Sequence, residues 1–162
     1  MLLNHLRRLR REIASPAAGA RGSMALRHVD AGSCNGCEHE LTAAANPFYD
    51  LAQYGLGIVA SPRHADVLLV TGAITKRMVP ALEAAYQAMP EPRLVAALGN
   101  CALGRNLLGQ ADELAGALEQ ILPVDLRIPG CPPTPAAIAA ALTAALEQRT
   151  QPRRHPRRRA AG

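Results

Sequence analysis

Short apolar runs alternate with stretches of helical spacing along most of this chain. The runs are rich in Leu, Val and Ala and are bounded by Gly, Pro, Asp or Ser; they cover residues 26–29, 56–60, 67–71, 93–98 and 124–128. This alternation predicts an α/β domain whose sheet is mostly parallel. The link over residues 61–66 is too short for a helical crossover, so the relative direction of the strands on either side stays open.

Between these runs, apolar residues recur three or four positions apart, which is the spacing of a helix face. We predict helices over residues 37–45 and 74–89, a helix that starts near Asp112 and carries Leu114, Leu118, Ile121 and Leu122, and a last helix that begins at Pro135. Thr134 is a favourable N-cap and Pro135 suits the first helical position, so that Ile138, Leu142 and Leu146 share one apolar face.

The basic character of the chain belongs to its two ends. The net charge is +5, yet residues 28–148 contain six Lys and Arg against twelve Asp and Glu. The body is therefore acidic, and the basic ends suit phosphates, an anionic membrane surface or an acidic partner.

The composition divides the chain into three parts. Residues 1–24 form a basic extension and linker, residues 25–149 a folded domain, and residues 150–162 an Arg-rich tail of disordered composition. In the extension, Leu2, Leu6, Leu9 and Ile13 share one face of a predicted amphipathic helix. Docking on a partner subunit, fraying and contact with a membrane surface all stay open for this helix.

No apolar stretch approaches the roughly 18 residues of a membrane span, and the N-terminus lacks the apolar region of an export signal. We therefore expect a cytoplasmic protein, in which reducing conditions disfavour structural disulfides. The chain has three Tyr, one Phe and no Trp, so stacking platforms are scarce and no nucleic-acid partner is expected. Four cysteines in such a chain indicate a metal or cluster site.

The cysteines have the spacing Cys34-x2-Cys37-x63-Cys101-x29-Cys131, and none is left over. Each of the three loops that carry them follows a predicted strand. If those strands are parallel, all four sulfur atoms emerge at the carboxyl edge of the sheet, where such sheets build their sites.

Four thiolates suit either zinc or a cubane iron-sulfur cluster. Structural zinc sites usually combine two C-x2-C pairs on a small unit that needs the metal to fold. Here the last two cysteines are single and distant, and the domain is large enough to fold alone, so the spacing favours a cluster and leaves zinc as the alternative. A glycine lies close before each cysteine and favours close backbone approach and positive φ; these are Gly32, Gly36, Gly99 and Gly130.

Three segments together carry a resemblance to a known family. They are S-C-N-G-C-E-H-E-L, S-P-R-H-A-D-V-L-L-V-T-G and I-P-G-C-P-P-T-P. They resemble the small subunit of nickel-iron hydrogenases, and more narrowly the energy-converting group of formate hydrogenlyase type, which is homologous to the 20 kDa subunit of respiratory complex I, an NADH-quinone oxidoreductase. The likeness covers residues 26–146. The 20 kDa subunits of complex I have adjacent cysteines at the first pair, so the C-x2-C spacing here favours the hydrogenase side of the family.

The resemblance implies a single flavodoxin-like domain that binds one 4Fe-4S cluster through Cys34, Cys37, Cys101 and Cys131. It implies an electron-transfer subunit of an oxidoreductase complex that catalyses nothing alone. The expected partners are a hydrogenase-type large subunit, a ferredoxin-like iron-sulfur subunit and membrane subunits, which would place the chain peripherally on the cytoplasmic side of the cell membrane. A nickel-free, complex I-like quinone oxidoreductase is the nearest alternative, and a zinc-stabilised binding module is the alternative from another class.

Four polar residues are candidates for a proton route or a subunit interface: Glu38, His39, Arg63 and His64. The resemblance implies that Glu38 faces the large subunit, and a solvated helix acid is the alternative. A surface or interface position is favoured for His39 over a proton carrier. Asn100 and Arg105 depart from the motif G-D-C-x-x-x-G-G of these relatives, in which an acid and a small residue are usual.

Overall fold

The computed structural model describes residues 22–105 and 112–150, which contain seven strands and three α-helices. The strands are β1 (Met24–Asp30), β2 (Leu56–Ile58), β3 (Val67–Thr71), β4 (Ile74–Thr75), β5 (Leu94–Leu98), β6 (Leu114–Gly116) and β7 (Leu126–Ile128). The helices are α1 (Gly36–Ala44), α2 (Val79–Ala88) and α3 (Pro135–Thr150). Short 3₁₀ helices cover Leu51–Tyr54, Pro62–His64 and Leu118–Gln120.

Five of the strands form one parallel sheet in the order β2-β1-β3-β5-β7. Counted along the chain, these five strands have the order 2-1-3-4-5, which is the flavodoxin-like arrangement of a doubly wound sheet. Both β2 and β3 run parallel to β1, which answers the question of direction that the short link left open. The prediction of a single α/β domain with a mostly parallel, flavodoxin-like sheet is confirmed.

The sheet has an apolar core on each face, because successive residues of a strand point to opposite sides. The core under α1 and α3 includes Leu26, Leu41, Leu69, Leu98, Ile138 and Leu142. The core under α2 includes Leu68, Val70, Leu82, Val95 and Ala97. Since β3 is buried along its whole length, its sequence is a continuous apolar run rather than an alternating one.

Helix α3 begins as predicted. The hydroxyl oxygen of Thr134 accepts a hydrogen bond from the backbone N–H of Ala137 at 3.3 Å, and Pro135 is the first helical residue. The predicted apolar face of Ile138, Leu142 and Leu146 is buried against the sheet. Thr134 therefore sets where α3 starts, and the aliphatic stripe sets which way it faces.

Two of the predicted helices need correction. Ile74–Thr75 forms β4, which pairs antiparallel with β6, and α2 begins only at Val79. The helix predicted from Asp112 is replaced by β6 and the 3₁₀ helix Leu118–Gln120. Gly116 has a φ of +104°, which is incompatible with an α-helix. The apolar residues of this segment are spaced like a helix face, but they pack against the core from a short strand followed by a 3₁₀ helix.

The predictions for residues 1–13 and for most of the Arg-rich tail lie outside the described residues. Over the ranges 22–105 and 112–150, no helix is both long and apolar enough to cross a membrane. Helix α3 extends through residue 150, one residue into the predicted tail.

Replacement of Leu142 by Ala should lower the free energy of unfolding by about 2–5 kcal/mol, because the lost side chain leaves a cavity between α3 and the sheet. Ile58→Ala serves as the control; this residue on the edge strand β2 is 54% exposed, so its loss should cost less than about 1 kcal/mol. Urea unfolding followed by circular dichroism measures both values. Equal costs would contradict the assigned core.

Candidate metal centre

The four cysteines come from three loops at the carboxyl edge of the sheet. Cys34 and Cys37 lie at the junction of β1 and α1, Cys101 follows β5, and Cys131 follows β7. Contacts between the loops follow from the matched ends of these strands. A Cβ atom on Gly36, for example, would lie 3.5 Å from Sγ of Cys34 and 3.8 Å from Cγ of Pro132. The structure thus brings to one edge the four residues that the sequence singled out.

Glycine at position 99 lets the turn after β5 approach α1. Its φ is +90°, and a Cβ atom there would lie 2.5 Å from Sγ of Cys37. Gly32 and Gly130 also have positive φ, whereas Gly36 does not: in that loop Asn35 has a φ of +65° and Gly36 begins α1. The prediction of positive φ is therefore confirmed for Gly32, Gly99 and Gly130 and is wrong for Gly36.

Asp30 and Ser33 hold the loop that carries Cys34. Oδ1 of Asp30 accepts hydrogen bonds from the backbone N–H groups of Gly32 and Ser33, both at 2.8 Å. Oγ of Ser33 accepts another from the backbone N–H of Asn35 at 3.0 Å. These polar residues of the loop satisfy its own backbone groups, so the position of Cys34 does not depend on secondary structure alone.

Burial and negative charge both act on the Cys37 thiol. Burial, the Glu38 carboxylate and negative charge at Cys101, Cys34 and Cys131 raise the pKa of Cys37 to about 11 in the metal-free protein. Each of the three other cysteines thus lies within electrostatic range of Cys37. Cys37 and Cys101 are half-buried, whereas Cys34 and Cys131 are exposed. A positively charged group bound here would relieve the repulsion among the thiolates.

Glu38 is directed toward the sheet and contacts Thr71 and His28. Thr71, fully buried at the end of β3, donates its hydroxyl hydrogen to Oε1 of Glu38. The same hydroxyl oxygen lies 2.8 Å from Nε2 of His28, which is 3.6 Å from Oε1 of Glu38. Burial lowers the pKa of His28, and the negative charges of Glu38 and Asp30 oppose that shift. Glu38 is therefore an acid turned inward beside Cys37, with its side chain only 21% exposed.

Sequence reasoning missed Thr71 and His28 as members of this network. The available signal was a polar residue within or at the end of a predicted strand: His28 lies inside β1 and Thr71 ends β3. Only the register of β1 and β3 shows that they face the same acid. Oε2 of Glu38 is buried and has no hydrogen-bond partner among the described residues.

The other candidate residues lie apart from the network. His39 is exposed on α1. Arg63 and His64 are exposed in the 3₁₀ helix that precedes β3, so they lie at the amino edge of the sheet, opposite the cysteines. Arg105 is exposed in the turn after Cys101, where its backbone N–H donates to the carbonyl oxygen of Asn100 at 2.9 Å.

Within residues 22–105 and 112–150, no three side chains of His, Cys, Asp or Glu are grouped closely enough to hold a single metal ion. The donors that the strand ends bring to the carboxyl edge are the four cysteine sulfur atoms. Together the sheet order and this edge define a class: a flavodoxin-like α/β protein with four cysteines gathered where its parallel strands end.

The sequence profile described as "NADH ubiquinone oxidoreductase, 20 Kd subunit" matches residues 34–145. The chain belongs to this family, which joins the complex I 20 kDa subunit with the small subunits of nickel-iron hydrogenases. The family resemblance stated from the sequence motifs is confirmed.

Two curated relatives come from an archaeon and a bacterium. Over 111 residues the chain is 44% identical to a Pyrococcus furiosus protein described as "Probable membrane-bound hydrogenase subunit mbhJ", which covers 68% of this chain and 66% of that protein. Over 110 residues it is 46% identical to "Formate hydrogenlyase subunit 7" of Escherichia coli, with 67% and 43% covered. The chain thus spans just under two thirds of the first relative and less than half of the second.

Solved structures share the fold. A chain of the membrane-bound sulfane sulfur reductase, described as an archaeal respiratory membrane complex, superposes with a TM-score of 0.66 at 28% identity and covers 79% of this chain and 72% of its own length. A chain of an NAD+-reducing nickel-iron hydrogenase superposes with a TM-score of 0.62 at 20% identity, covering 83% and 96%. The second likeness supports the fold alone.

In the metal-free, reduced protein, Cys37 should react with iodoacetamide much more slowly than the exposed Cys34 and Cys131. Only the thiolate attacks, and a pKa of about 11 leaves about one Cys37 in a thousand as thiolate near pH 8. Brief alkylation followed by tandem mass spectrometry measures the order, since fragmentation separates Cys34 from Cys37. Similar rates for all three would contradict the assigned burial.

Replacement of Gly99 by Ala should lower the free energy of unfolding by about 1–2 kcal/mol, because φ is +90° and the new Cβ would collide with Sγ of Cys37. Gly57→Ala is the matched control: a Cβ there meets nothing within 4 Å, so its effect should stay within about 0.5 kcal/mol. Thermal unfolding of both variants checks the difference. Similar effects would show that Gly99 does not constrain the turn.

Proposed function

We propose that this chain is an electron-transfer subunit that holds one 4Fe-4S cluster next to the active site of a membrane-associated, multi-subunit oxidoreductase of hydrogenase type. The observation that carries the proposal is the convergence of Cys34, Cys37, Cys101 and Cys131 at one edge of a folded sheet. The relatives described as a membrane-bound hydrogenase subunit and a formate hydrogenlyase subunit support the class of complex.

The residues at the edge fit such a cluster. All four converging donors are sulfur, the preferred ligand of iron-sulfur clusters. A cubane does not require three donors around one ion, because each of its four irons takes a single thiolate. Gly99 lets the turn before Cys101 lie directly against the Cys37 sulfur, since any other side chain there would collide with it.

Each part of the edge has a role in this proposal. The four cysteines bind the cluster, which supplies one-electron transfer when bound. Cys37 and Cys101 anchor it on the half-buried side, and Asp30 and Ser33 keep Cys34 oriented through their hydrogen bonds to the loop. The side that carries Cys34 and Cys131 is open in the isolated chain, so a neighbouring subunit is needed to exclude water from it.

The partners follow from this open side and from the relatives. We infer a hydrogenase-type large subunit over the cysteine edge, a ferredoxin-like iron-sulfur subunit as the next electron carrier, and membrane subunits that hold the complex on the cytoplasmic side of the membrane. Glu38, inward beside Cys37, is the candidate for a proton route. His39 is exposed on the same helix and is a candidate interface residue, as are Arg63 and His64 at the opposite edge of the sheet.

A second candidate is a nickel-free, complex I-like complex that passes electrons toward quinone. The matched profile is named for a complex I subunit, and this name supports the complex I-like alternative. Metal analysis of the co-purified large subunit distinguishes the two: nickel supports the hydrogenase type, and its absence in an intact, active complex supports the quinone type.

Anaerobically purified full-length protein should contain about four iron and four sulfide per chain and give a cluster signal in electron paramagnetic resonance after reduction. Cys101→Ser should lower the iron content by at least about half, because one of the four ligands is lost. Arg63→Ala, at the opposite edge, is the control and should retain full iron. Stoichiometric zinc with no reduced-state signal would contradict the proposal and favour a zinc-stabilised module.

A further inference from the structure

Three pairs of hydrogen bonds of the same form connect neighbouring strands. In each, one residue donates its backbone N–H to the carbonyl of a residue on or just beyond the neighbouring strand. Its side chain accepts the N–H of that same residue. The pairs are Asp66 with Ala25, Asp125 with Val95, and Asn100 with Gly130. We call these pairs reciprocal clasps.

The clasps differ in position and in charge. Asp66 and Asp125 directly precede β3 and β7, so both carboxylate clasps lie at the amino edge of the sheet. Asn100 follows β5 and directly precedes Cys101, so its clasp lies at the cysteine edge. The one clasp of the three that lies among the cysteines therefore uses a neutral carboxamide.

The Asn100 clasp takes over where the strand ladder stops. The last rung is the bond from the Gly99 N–H to the Ile128 carbonyl at 2.8 Å; beyond it, Pro129 has no N–H to donate. The Asn100 N–H then donates to the Gly130 carbonyl at 2.7 Å, and Oδ1 of Asn100 accepts the Gly130 N–H at 3.0 Å. These two bonds connect the residue before Cys101 to the residue before Cys131.

We propose that Asn100 is a positioning residue of the cysteine site, which fixes the Cys101 loop to the Cys131 loop without adding a negative charge. The proposal rests on the proposed function, because the iron-sulfur cluster is the group that the two loops would hold.

The charge of the surroundings explains why a carboxamide suits this position. An aspartate has the same shape and accepts the same hydrogen bond, as Asp66 and Asp125 do. At the cysteine edge, however, its charge would add to that of Glu38 beside Cys37 and to the negative charge of a cluster held by four thiolates. Geometry thus requires an acceptor at position 100, and Asn100 supplies it without the charge of the acid that is usual in the motif G-D-C-x-x-x-G-G.

The test uses the full-length chain with three substitutions. Asn100→Leu removes the acceptor at similar size, and Asn100→Asp retains it and adds a charge. Asn46→Leu is the matched control: Oδ1 of Asn46 accepts the backbone N–H groups of Phe48 and Tyr49 at 2.8 and 3.1 Å, in the loop beyond the far end of α1. The readouts are amide exchange of Gly130 by nuclear magnetic resonance in metal-free protein, and iron retained and midpoint potential after anaerobic reconstitution with iron and sulfide.

We expect Asn100→Leu to speed Gly130 exchange by about tenfold or more, because its N–H loses a partner, and to retain less iron than the wild type. Asn100→Asp should keep Gly130 protection and iron retention at wild-type values, because the acceptor is retained. It should lower the midpoint potential, since a nearby carboxylate disfavours the added electron. Asn46→Leu should leave all three readouts at wild-type values.

Wild-type exchange and iron retention in Asn100→Leu would overturn the proposal, as would an unchanged midpoint potential in Asn100→Asp. Loss of iron in Asn46→Leu to the same extent would also overturn it, because the effect would then be general destabilisation. If the wild type itself binds no iron, the proposed function fails instead, while Gly130 exchange in metal-free protein still tests the clasp.

Discussion

The matched carboxyl ends of the parallel strands are the constraint on which the rest of this structure depends. The paired registers end β1 with β3 at Asp30 and Thr71, β3 with β5 at Thr71 and Leu98, and β5 with β7 at Leu98 and Ile128. A slip of one residue in any pair would turn its core side chains to the other face. The aliphatic cores therefore hold the register, and the register in turn determines that the cysteine loops begin at one level.

The sheet could be predicted from sequence because its strands are bounded apolar runs, and the α3 stripe because Thr134 and Pro135 mark its start. The structure of the segment around Leu114 could not be predicted, since an apolar residue every three or four positions also fits a short strand followed by a 3₁₀ helix. Ile74 and Thr75 depend on a partner about 40 residues away, and local spacing carries no information on such pairing. Residue spacing located the cysteines at one edge, but not the groups that contact them.

Glu38 shows that the position of a residue could be predicted while its contacts could not. Its place after Cys37 indicated an acid near the site, yet sequence alone left a solvated helix acid as an equal alternative. The structure directs it to Thr71 and His28, which are distant along the chain and adjacent only through the pairing of β1 with β3. The same holds for Asn100, whose identity was visible as a departure from the motif while its contact with Gly130 was not. Non-local side-chain contacts are thus what the sequence did not provide.

The exposure of Cys34 and Cys131 has a consequence for the order in which a complex is assembled. These two thiols belong to different loops and face solvent, and neither is part of an apolar core, whereas Cys37 packs against one core and Ala102, next to Cys101, is buried in the other. In the proposed role, iron and sulfide can therefore enter a domain that is already folded, with no need for the sheet to open. A neighbouring subunit would cover this same face. Assembly of the cluster would therefore have to precede docking, because a subunit docked first would block the entry of iron and sulfide.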